Sequence, residues 1–359
     1  MLEQLNLWYK RKFSDPASAT LLVMVVLAFA VLIFWGAMLA PVLVAVVVAY
    51  LLEWPVNKLD KLGMGRTWAV SLVLTLFISL SVLFMVALVP VIWQQGVNLL
   101  TEMPLFWSKT QTWLLTLPDA YPGLLSKQDI DMALVGVNER VVSLGKDILS
   151  ASLSSIVSLV ALMIYFILVP LMVFFILKDR GELLNNLAGI MPKDRRLLKQ
   201  VGREMNTQIV NYIRGKVIEI LIVGTVSAIT FALMDLRYSL LLGVLVGFSV
   251  LIPYIGAAVV TFPVAIVALF QWGLTADFWY LMIAYGIIQA LDGNLLVPLL
   301  FSEAVSLHPV YIIIAVLFFG GLWGFWGVFF AIPLATLVKA VFNAWSENSL
   351  PRQSEGQVT

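Results

Sequence analysis

The chain has 359 residues, of which 61% are hydrophobic and only 12% are charged, and its mean hydropathy is +0.99. Soluble domains are about a quarter charged, so this composition excludes an ordinary soluble protein and places the chain among integral membrane proteins. The absence of cysteine excludes disulfides and thiolate metal sites, the single histidine excludes a multi-histidine metal site, and the net charge of +1 indicates no class of partner.

The first apolar run covers residues 20–52. It is too long for one membrane span of about 20 residues and long enough for two short ones. Gly36 and Pro41 lie near its middle and give the expected break between them. The sequences on both sides of the run are basic, which requires an even number of crossings between them. Because the run continues past Gly36, we expect a retained first span and no cleaved signal peptide.

A third span is expected at residues 68–92, and it leads into the one sizeable aqueous segment, residues 93–151. This segment has more acidic than basic residues, and its spaced leucines and aromatic residues favour short amphipathic helices on the membrane surface. Pro104, Pro118 and Pro122 are expected to break it into pieces. We interpret it as an extracytoplasmic spacer that packs on the membrane bundle, with an external ligand-binding domain as the alternative.

The fourth span, residues 152–177, ends in the most basic stretch of the chain, residues 178–216. Cytoplasmic loops of membrane proteins carry an excess of lysine and arginine, so we expect this stretch inside the cell and residues 93–151 outside. Its basic residues alternate with acidic and apolar ones, as they do on the surface of a helix, so we do not expect nucleic-acid binding.

A fifth span at residues 217–234 is followed by a tight outer turn at 235–238. Two long apolar segments follow, at 239–270 and 309–345, with a further span at 278–297 between them. Read as full spans, the segments number about eight. The sequence therefore predicts a single all-α polytopic integral membrane domain with both termini in the cytoplasm.

Glycine and proline interrupt both long segments. Each segment can be interpreted as a broken helix, as a hairpin that turns back within the membrane, or as a long helix that is only kinked. Discontinuous helices at matched positions of two segments are a sequence sign of a transport site near the membrane midplane. The predicted hinge or break positions are Pro253, Gly256, Pro298, Gly320, Gly321, Gly324, Gly327 and Pro333.

The C-terminal half also carries a set of short motifs. They are F-F-I-L-K-D-R at 174–180, N-Y-I-R-G-K at 211–216, L-I-P-Y-I-G at 251–256, D-G-N at 292–294 before Pro298, L-H-P at 307–309, and a glycine-rich run from 320 to Pro333. In these motifs the chain resembles the autoinducer-2 exporter family of permeases, and within it the PerM-type branch. The resemblance implies a homo-oligomeric, multi-pass permease of the bacterial cytoplasmic (inner) membrane.

Known activities of that family include export of the autoinducer-2 signal and sodium(lithium)/proton antiport. One departure limits what the resemblance implies. Many members have glycine shortly after the proline that matches Pro298, whereas this chain reads L-L-F-S-E at 299–303 and so adds an acid, Glu303. The resemblance therefore indicates a class of transport protein and no particular cargo.

Asp292 is the main candidate for a site on the path of a substrate or an ion. A charge in the middle of a bilayer costs roughly 3 kcal/mol on insertion scales, so this carboxylate should be paired, hydrated or protonated. Gln289 shares its helix face, and Gly293 and Asn294 allow the helix to unwind beside it. The alternative is a structural carboxylate that is bonded to a neighbouring helix end.

Three further residues are weaker candidates for the same path. Glu219 could be a second carboxylate, but Lys216 precedes it by one helical turn, which favours an ion pair near the inner interface that reaches the surface. Glu303 and His308 lie in the turn before the last segment. A histidine there could act as a gate that responds to pH, although a histidine next to proline more often fixes a turn.

The chain contains no Walker loop, dinucleotide fingerprint or nucleophile elbow, so we expect neither an enzyme nor a cofactor. The sequence predicts a secondary permease or exporter for a small polar solute, with proton coupling left open, and its expected partners are the lipid bilayer, the solute and H⁺ or Na⁺. The alternatives are a sodium(lithium)/proton antiporter and a membrane scaffold that transports nothing.

Overall fold

A computed structural model of the chain describes residues 16–120, 156–190, 196–301 and 307–347, and all of its regular elements there are helical. The helices are α1 Pro16–Leu59, α2 Arg66–Ala120, α3 Ile156–Lys178, α4 Arg180–Ile190, α5 Arg196–Leu233, α6 Ser239–Ser249, α7 Ile255–Trp272, α8 Ala276–Leu291, α9 Val297–Phe301, α10 Pro309–Phe329 and α11 Ala331–Glu347. Two wider π-type turns, Asp60–Met64 and Asp292–Leu296, follow α1 and α8.

Within the described residues, 6 helical stretches are long and apolar enough to cross a membrane. Shorter apolar helices, α3 and α6 among them, accompany these stretches. Such helices satisfy their own backbone polar groups, which hydrocarbon requires of a spanning segment. The chain is therefore an all-α polytopic membrane protein, as predicted. The number of crossings and the cytoplasmic location of the termini stay predictions.

The predicted break at Gly36 and Pro41 is wrong, because α1 continues through both residues for 44 residues in all. At about 1.5 Å per residue, α1 is about 66 Å long. Gly36 has a packing role instead: it is buried, and a side chain there would overlap the indole of Trp323. A proline inside a helix removes one hydrogen bond, and the turns on either side of Pro41 are sufficient to keep α1 continuous.

The predicted breaks at Pro104 and Pro118 are also wrong. Helix α2 continues for 55 residues and contains both prolines. The contacts of Glu102 and Phe106 described below hold α2 on both sides of Pro104, so tertiary packing overrides the local effect of this proline. Residues 121–155, with Pro122 and the rest of the predicted amphipathic segment, lie outside the described residues.

Helices α1, α2 and α3 pack around one apolar cluster, which includes Ala45, Val70 and Val173. Arg66 ties the beginning of α2 to the end of α3, because its Nε donates to the Leu177 carbonyl over 2.9 Å. The end of α1, the beginning of α2 and the end of α3 therefore meet at one end of the molecule.

The first part of the predicted basic segment lies at this same end. The described residues of the segment are helical, in α4 and in the first part of α5, which begins at Arg196 rather than near residue 217. Arg180 forms an ion pair with Glu53 of α1, and the Tyr50 hydroxyl lies 3.1 Å from Asn206 Oδ1 of α5. We call this the basic end of the molecule.

The opposite end contains the predicted turn at 235–238, which the structure confirms, and we call it the turn end. Here Arg237 forms an ion pair with Glu102 of α2 over 2.7 Å, and the Phe106 ring stacks on Phe270 of α7 at 4.7 Å. Burial and the neighbouring Glu102 carboxylate raise the pKa of Tyr238 to about 12.

Helices α6 and α7 form the first hairpin. Near the end of α7, Gln271 accepts a hydrogen bond from the Arg237 backbone N–H over 2.8 Å and donates to the Asp235 carbonyl over 2.6 Å. The end of α7 thus lies beside the beginning of α6, so the chain leaves the turn end, reverses at residues 250–254 and returns. Helix α6 has 11 residues, a length of about 16 Å, roughly half of a bilayer's hydrocarbon core.

Helices α10 and α11 form the second hairpin. The chain reverses at Gly324, whose φ of 59° is in the region that glycine tolerates. Gly327 then packs directly against the Phe319 carbonyl, a contact that a straight helix would not allow. His308 at the beginning of α10 and Lys339 of α11 line one cavity, so both arms open toward the basic end.

The two hairpins enter from opposite ends of the molecule, since Ala340 near the end of α11 packs in one cluster with Val201 near the beginning of α5, at the basic end. Both tips reach a second apolar cluster: Ile252 at the first tip packs against it, and Phe319 and Ile332 of the second hairpin belong to it, together with residues of α5. Both long segments are therefore hairpins in this structure and not merely kinked helices. The reversals place this shared cluster inside the bundle, next to the middle of α5.

Candidate functional site

Asp292 directly follows α8 and begins the wider π-type turn Asp292–Leu296. The carbonyl of Asp292 accepts a hydrogen bond from the backbone N–H of Val297, five residues later, which is the spacing of a π turn. Helix α9, Val297–Phe301, then continues through Pro298, so the predicted break of the helix at Pro298 is wrong. The wide turn comes directly before the proline and takes up the local distortion. Such turns inside α-helices occur frequently at functional sites.

The Asp292 side chain is buried and only partly satisfied. Asp292 is 9% exposed, and its Oδ1 atom is buried without a hydrogen-bond partner among the described residues. Gln289 Nε2, one helical turn earlier, is a buried donor that likewise has no partner there. An unsatisfied buried polar group costs about 1–3 kcal/mol, and more if it is charged. An acceptor and a donor with unused hydrogen-bonding capacity therefore lie on one helix face.

Lys216 and Glu219 form a buried ion pair beside this face. Their Nζ and Oε2 atoms are 2.8 Å apart, and the two residues are 4% and 2% exposed. The prediction that the two residues pair is confirmed, but the expectation that the pair reaches the surface is wrong. Apolar residues of neighbouring elements cover both side chains, whereas an exposed pair would keep its charges in water.

Lys216 also makes the contact that connects this ion pair to the first hairpin. Its Nζ donates to the Val250 carbonyl over 2.7 Å, and it lies 5.2 Å from the centre of the Phe301 ring of α9. The same ring packs on Gly215, where a Cβ would lie 2.6 Å from it. Lys216 thus lies where α5, the tip of the first hairpin and α9 meet.

The three charges form one electrostatic unit. Lys216 and Asp292 interact electrostatically, and so do Glu219 and Asp292. With all three groups ionised, one ammonium faces two carboxylates, which leaves one negative charge unbalanced. A buried charge of this kind attracts a proton or a cation. We call Lys216, Glu219 and Asp292 the buried triad.

Two of the other candidates lie away from the triad. Asn294 is exposed, and its amide donates to the Ala290 carbonyl of its own helix over 2.8 Å. His308 is exposed and begins α10, where its Nδ1 accepts from the Val310 backbone N–H over 3.3 Å. The histidine therefore fixes a helix start, the alternative weighed from the sequence. Glu303 lies outside the described residues.

The first hairpin contains two predicted break residues. Pro253 lies in the reversal between α6 and α7, and the next residue, Tyr254, has a φ of 63°, which is unusual for a residue with a side chain. Gly256 is in contact with the Ser249 carbonyl, and a Cβ at this position would collide with it. Proline and glycine thus allow the two arms to approach closely at the tip.

The second hairpin reverses at Gly324, and the other predicted positions pack around that reversal. Gly320 approaches Val328, Gly327 is buried against Phe319, and Gly321 is exposed. Pro333 is not a break, because it lies in the first turn of α11, where a backbone N–H has no partner within the helix.

A cavity of about 630 Å³ lies between the arms of the second hairpin. Its lining is mostly apolar, and its polar residues are His308, Tyr311 and Lys339. It does not include the triad. Among the described residues, no three or more acidic residues and histidines are grouped as they would be in a metal site.

One participant in the site had no clear signal in the sequence. The Val250 carbonyl accepts a hydrogen bond from Lys216, but it is a backbone group, so residue identity gives no indication of its role.

Comparison with known proteins agrees with this architecture. The sequence profile of AI-2E family transporters matches residues 22–347. A protein of Escherichia coli (strain K12) that is named as a permease, PerM, is 52% identical over 353 residues, which cover 98% of this chain and 100% of that protein.

More distant relatives are named as transport proteins. YueF of Bacillus subtilis (strain 168) is 26% identical over 327 residues, covering 87% of this chain and 85% of its own length. A protein of Thermotoga maritima is 23% identical over 333 residues, covering 92% and 95%. The match over nearly the whole chain shows that the chain belongs to the AI-2E transporter family, a family of multi-pass membrane transport proteins.

Proposed function

We propose that this protein is a secondary carrier for a small polar solute and that the buried triad is its substrate or ion site. One observation carries the proposal: a carboxylate with unused hydrogen-bonding capacity lies beside a buried ion pair that contacts the tip of the first hairpin. Ionisable groups within membrane segments most often mark a substrate or ion path. The alternative of a purely structural carboxylate would require a tight partner for Asp292.

The hairpins supply the moving parts. In carriers, discontinuous helices place backbone groups near the midplane, and one part of the fold rocks or opens around a fixed site. Here one tip contributes the Val250 carbonyl to the triad, and both hairpins contribute to one apolar cluster beside it on α5. Opening of one tip at a time would expose the triad to one side and then to the other. Gly256 and Gly324 allow the tight reversals.

The driving force would be an ion gradient, since the sequence contains no nucleotide-binding loop. The unbalanced negative charge of the triad favours a proton as the coupling ion. It also favours a second candidate function, sodium(lithium)/proton antiport, because a small cation would balance the same charge. Export is the proposed direction, in line with the family resemblance.

The proposed orientation places the basic end in the cytoplasm, together with both termini, in the inner membrane of a bacterium. The excess of lysine and arginine at this end supports it. Helix α2 has a large apolar surface that is exposed in the single chain, with Leu76, Leu80 and Leu83 among its exposed residues. This surface would face lipid or further copies in a homo-oligomer.

The test is flux into proteoliposomes that contain the purified protein, screened across small polar solutes, Na⁺ and Li⁺, with and without a pH gradient. Asp292→Asn should reduce coupled flux at least about tenfold, because the site loses its ionisable group. The matched control is Asp277→Asn, the same change at an exposed position of the same helix, which should retain wild-type flux.

Wild-type flux in a folded Asp292→Asn protein would defeat the assignment of the site. Absence of flux under every condition, together with a phenotype only on removal of part of the basic segment, would favour the scaffold alternative. Sodium-dependent proton movement would separate the antiporter from the solute carrier.

A further inference from the structure

The tip of the first hairpin, residues 250–254, uses most of its carbonyls locally. The carbonyls of Ile252, Pro253 and Tyr254 accept hydrogen bonds from backbone N–H groups within the next four residues. The Val250 carbonyl instead accepts from Lys216 of α5 over 2.7 Å, in a buried environment. A lysine from another helix therefore joins the tip to the body of the protein.

Hydrogen bonds from a charged donor are stronger than neutral ones, and burial strengthens them further. Lys216 is 4% exposed, so water does not compete effectively for its ammonium. Glu219 balances the charge of this ammonium at 2.8 Å. The contact between Lys216 and Val250 is therefore a strong and specific link between the tip and α5.

The turn that begins with Asp292 packs against α5, which carries Lys216, and the two charges interact electrostatically. While Asp292 is ionised and carries neither a proton nor a bound cation, its charge attracts the ammonium and helps to keep Lys216 within the site. A proton on Asp292 removes that attraction, and a bound cation replaces it with repulsion. Occupancy of Asp292 thus weakens the hold on Lys216.

We propose that Lys216 is a positioning residue that latches the tip of the first hairpin to α5 and releases it when Asp292 is neutralised or binds a cation. The latch would make opening of the tip depend on the charge state of the site. It rests on the proposed carrier function, because release matters only if the tip gates a path. Tip opening can nevertheless be measured without any cargo.

The chain has no cysteine, so single cysteines report on local opening without a background. Ile252 at the tip is half-buried in the apolar cluster between the hairpins, and Ile252→Cys should react slowly with a maleimide in nanodiscs. Thr275→Cys, exposed at the turn end, is the reference position and should react at the same rate in every background.

Lys216→Met should increase the reaction rate at Ile252→Cys about tenfold or more, because a charged hydrogen bond to the tip is lost. Lys216→Arg, which retains the charge and the donors, should stay near the wild-type rate. Lys199→Met, at an exposed lysine of the same helix, is the matched control and should leave the rate unchanged.

If Lys216→Met fails to fold because Glu219 is left unpaired, the double variant Lys216→Met/Glu219→Gln removes both charges and serves in its place. A wild-type labelling rate in that folded double variant would overturn the latch. A fast rate in Lys216→Arg would also overturn it, since shape rather than charge would then hold the tip.

A double-mutant cycle tests the link to the site. Asp292→Asn imitates the neutral carboxyl group and should speed labelling at Ile252→Cys, with no further effect once Lys216→Met is present. Independent, additive effects would overturn the coupling. Loss of flux in Asp292→Asn with unchanged tip labelling would overturn the latch and leave the carrier function standing. Faster labelling with no flux under any condition would support the latch and overturn the carrier.

Discussion

At the scale of single residues, the buried triad combines stability and function. Removing one member of a buried ion pair leaves an uncompensated charge, which costs about 3–5 kcal/mol. Removing both members together costs much less. Pairing between Lys216 and Glu219 therefore explains how the fold tolerates a buried lysine, while Asp292 remains available to a ligand.

This difference predicts a specific pattern of stabilities. Glu219→Gln should lower the free energy of unfolding by about 3 kcal/mol, since Lys216 loses its ion-pair partner at 2.8 Å. Lys216→Met/Glu219→Gln should recover most of that loss. The free energies come from SDS titration of the protein in bicelles. Glu204→Gln, at an exposed acid of the same helix, should stay within about 0.5 kcal/mol of the wild type. Equal losses in the Glu219 and Glu204 variants would contradict a buried pair.

At the scale of elements, small residues decide how closely α5 and α6 approach. Gly243 and Gly247 of α6 face Ala228 and Gly224 of α5, and a Cβ on Gly247 would lie 2.9 Å from the Gly224 Cα. Packing of this kind replaces the hydrophobic effect, which does not drive association between helices in lipid. The G-x-x-x-G spacing of Gly243 and Gly247 is thus a packing device in this hairpin.

Gly243→Leu should therefore destabilise the protein by at least about 1–3 kcal/mol, the usual cost of overpacking, because the added side chain must separate the two helices. The same SDS titration measures the loss. Gly286→Leu, at an exposed glycine of α8 with no neighbour within 4 Å, is the matched control and should be close to neutral. If the two leucine variants unfold alike, close contact between α5 and α6 does not contribute to stability.

Proline and glycine in the sequence marked some positions where the chain reverses and others where the helix continues. Pro253 and the glycines around Gly324 mark both hairpin reversals, because these residues favour the sharp backbone geometry of a tip. Pro41 and Pro104 carry the same local signal but lie inside continuous helices. Proline weakens a helix without deciding its path, and neighbouring elements determine whether the chain bends there.

At the scale of the whole molecule, two ends of opposite character define the orientation. The basic end contains Lys61 beyond α1, and the turn end contains Thr275 before α8. The ends are held apart by α2, which begins beside Leu177 at the basic end and pairs with Arg237 at the turn end. The excess of positive charge at the basic end predicts that this end faces the cytoplasm.

Whole-cell labelling tests this orientation. A membrane-impermeant maleimide should label Thr275→Cys in intact cells, and it should label Lys61→Cys only after the inner membrane is permeabilised. Both positions are exposed, and the chain has no other cysteine, so access to the two sides alone sets the result. The reverse pattern would invert the proposed orientation.

The sequence by itself determined the membrane class, the family and the leading candidate, Asp292, because composition, hydropathy and the cost of a charge in lipid are local properties. Its candidate break positions included Pro253 and Gly324, where the chain reverses, but it left open whether the long segments are hairpins. Only the tertiary structure decided that they are, that the Lys216–Glu219 pair is buried and that Lys216 bonds to the Val250 carbonyl. Helical spacing shows which side chains share a face, but it does not show which element covers that face. The direction of each hairpin and the cluster that both tips reach depend on packing between distant parts of the chain, so local sequence patterns do not contain them.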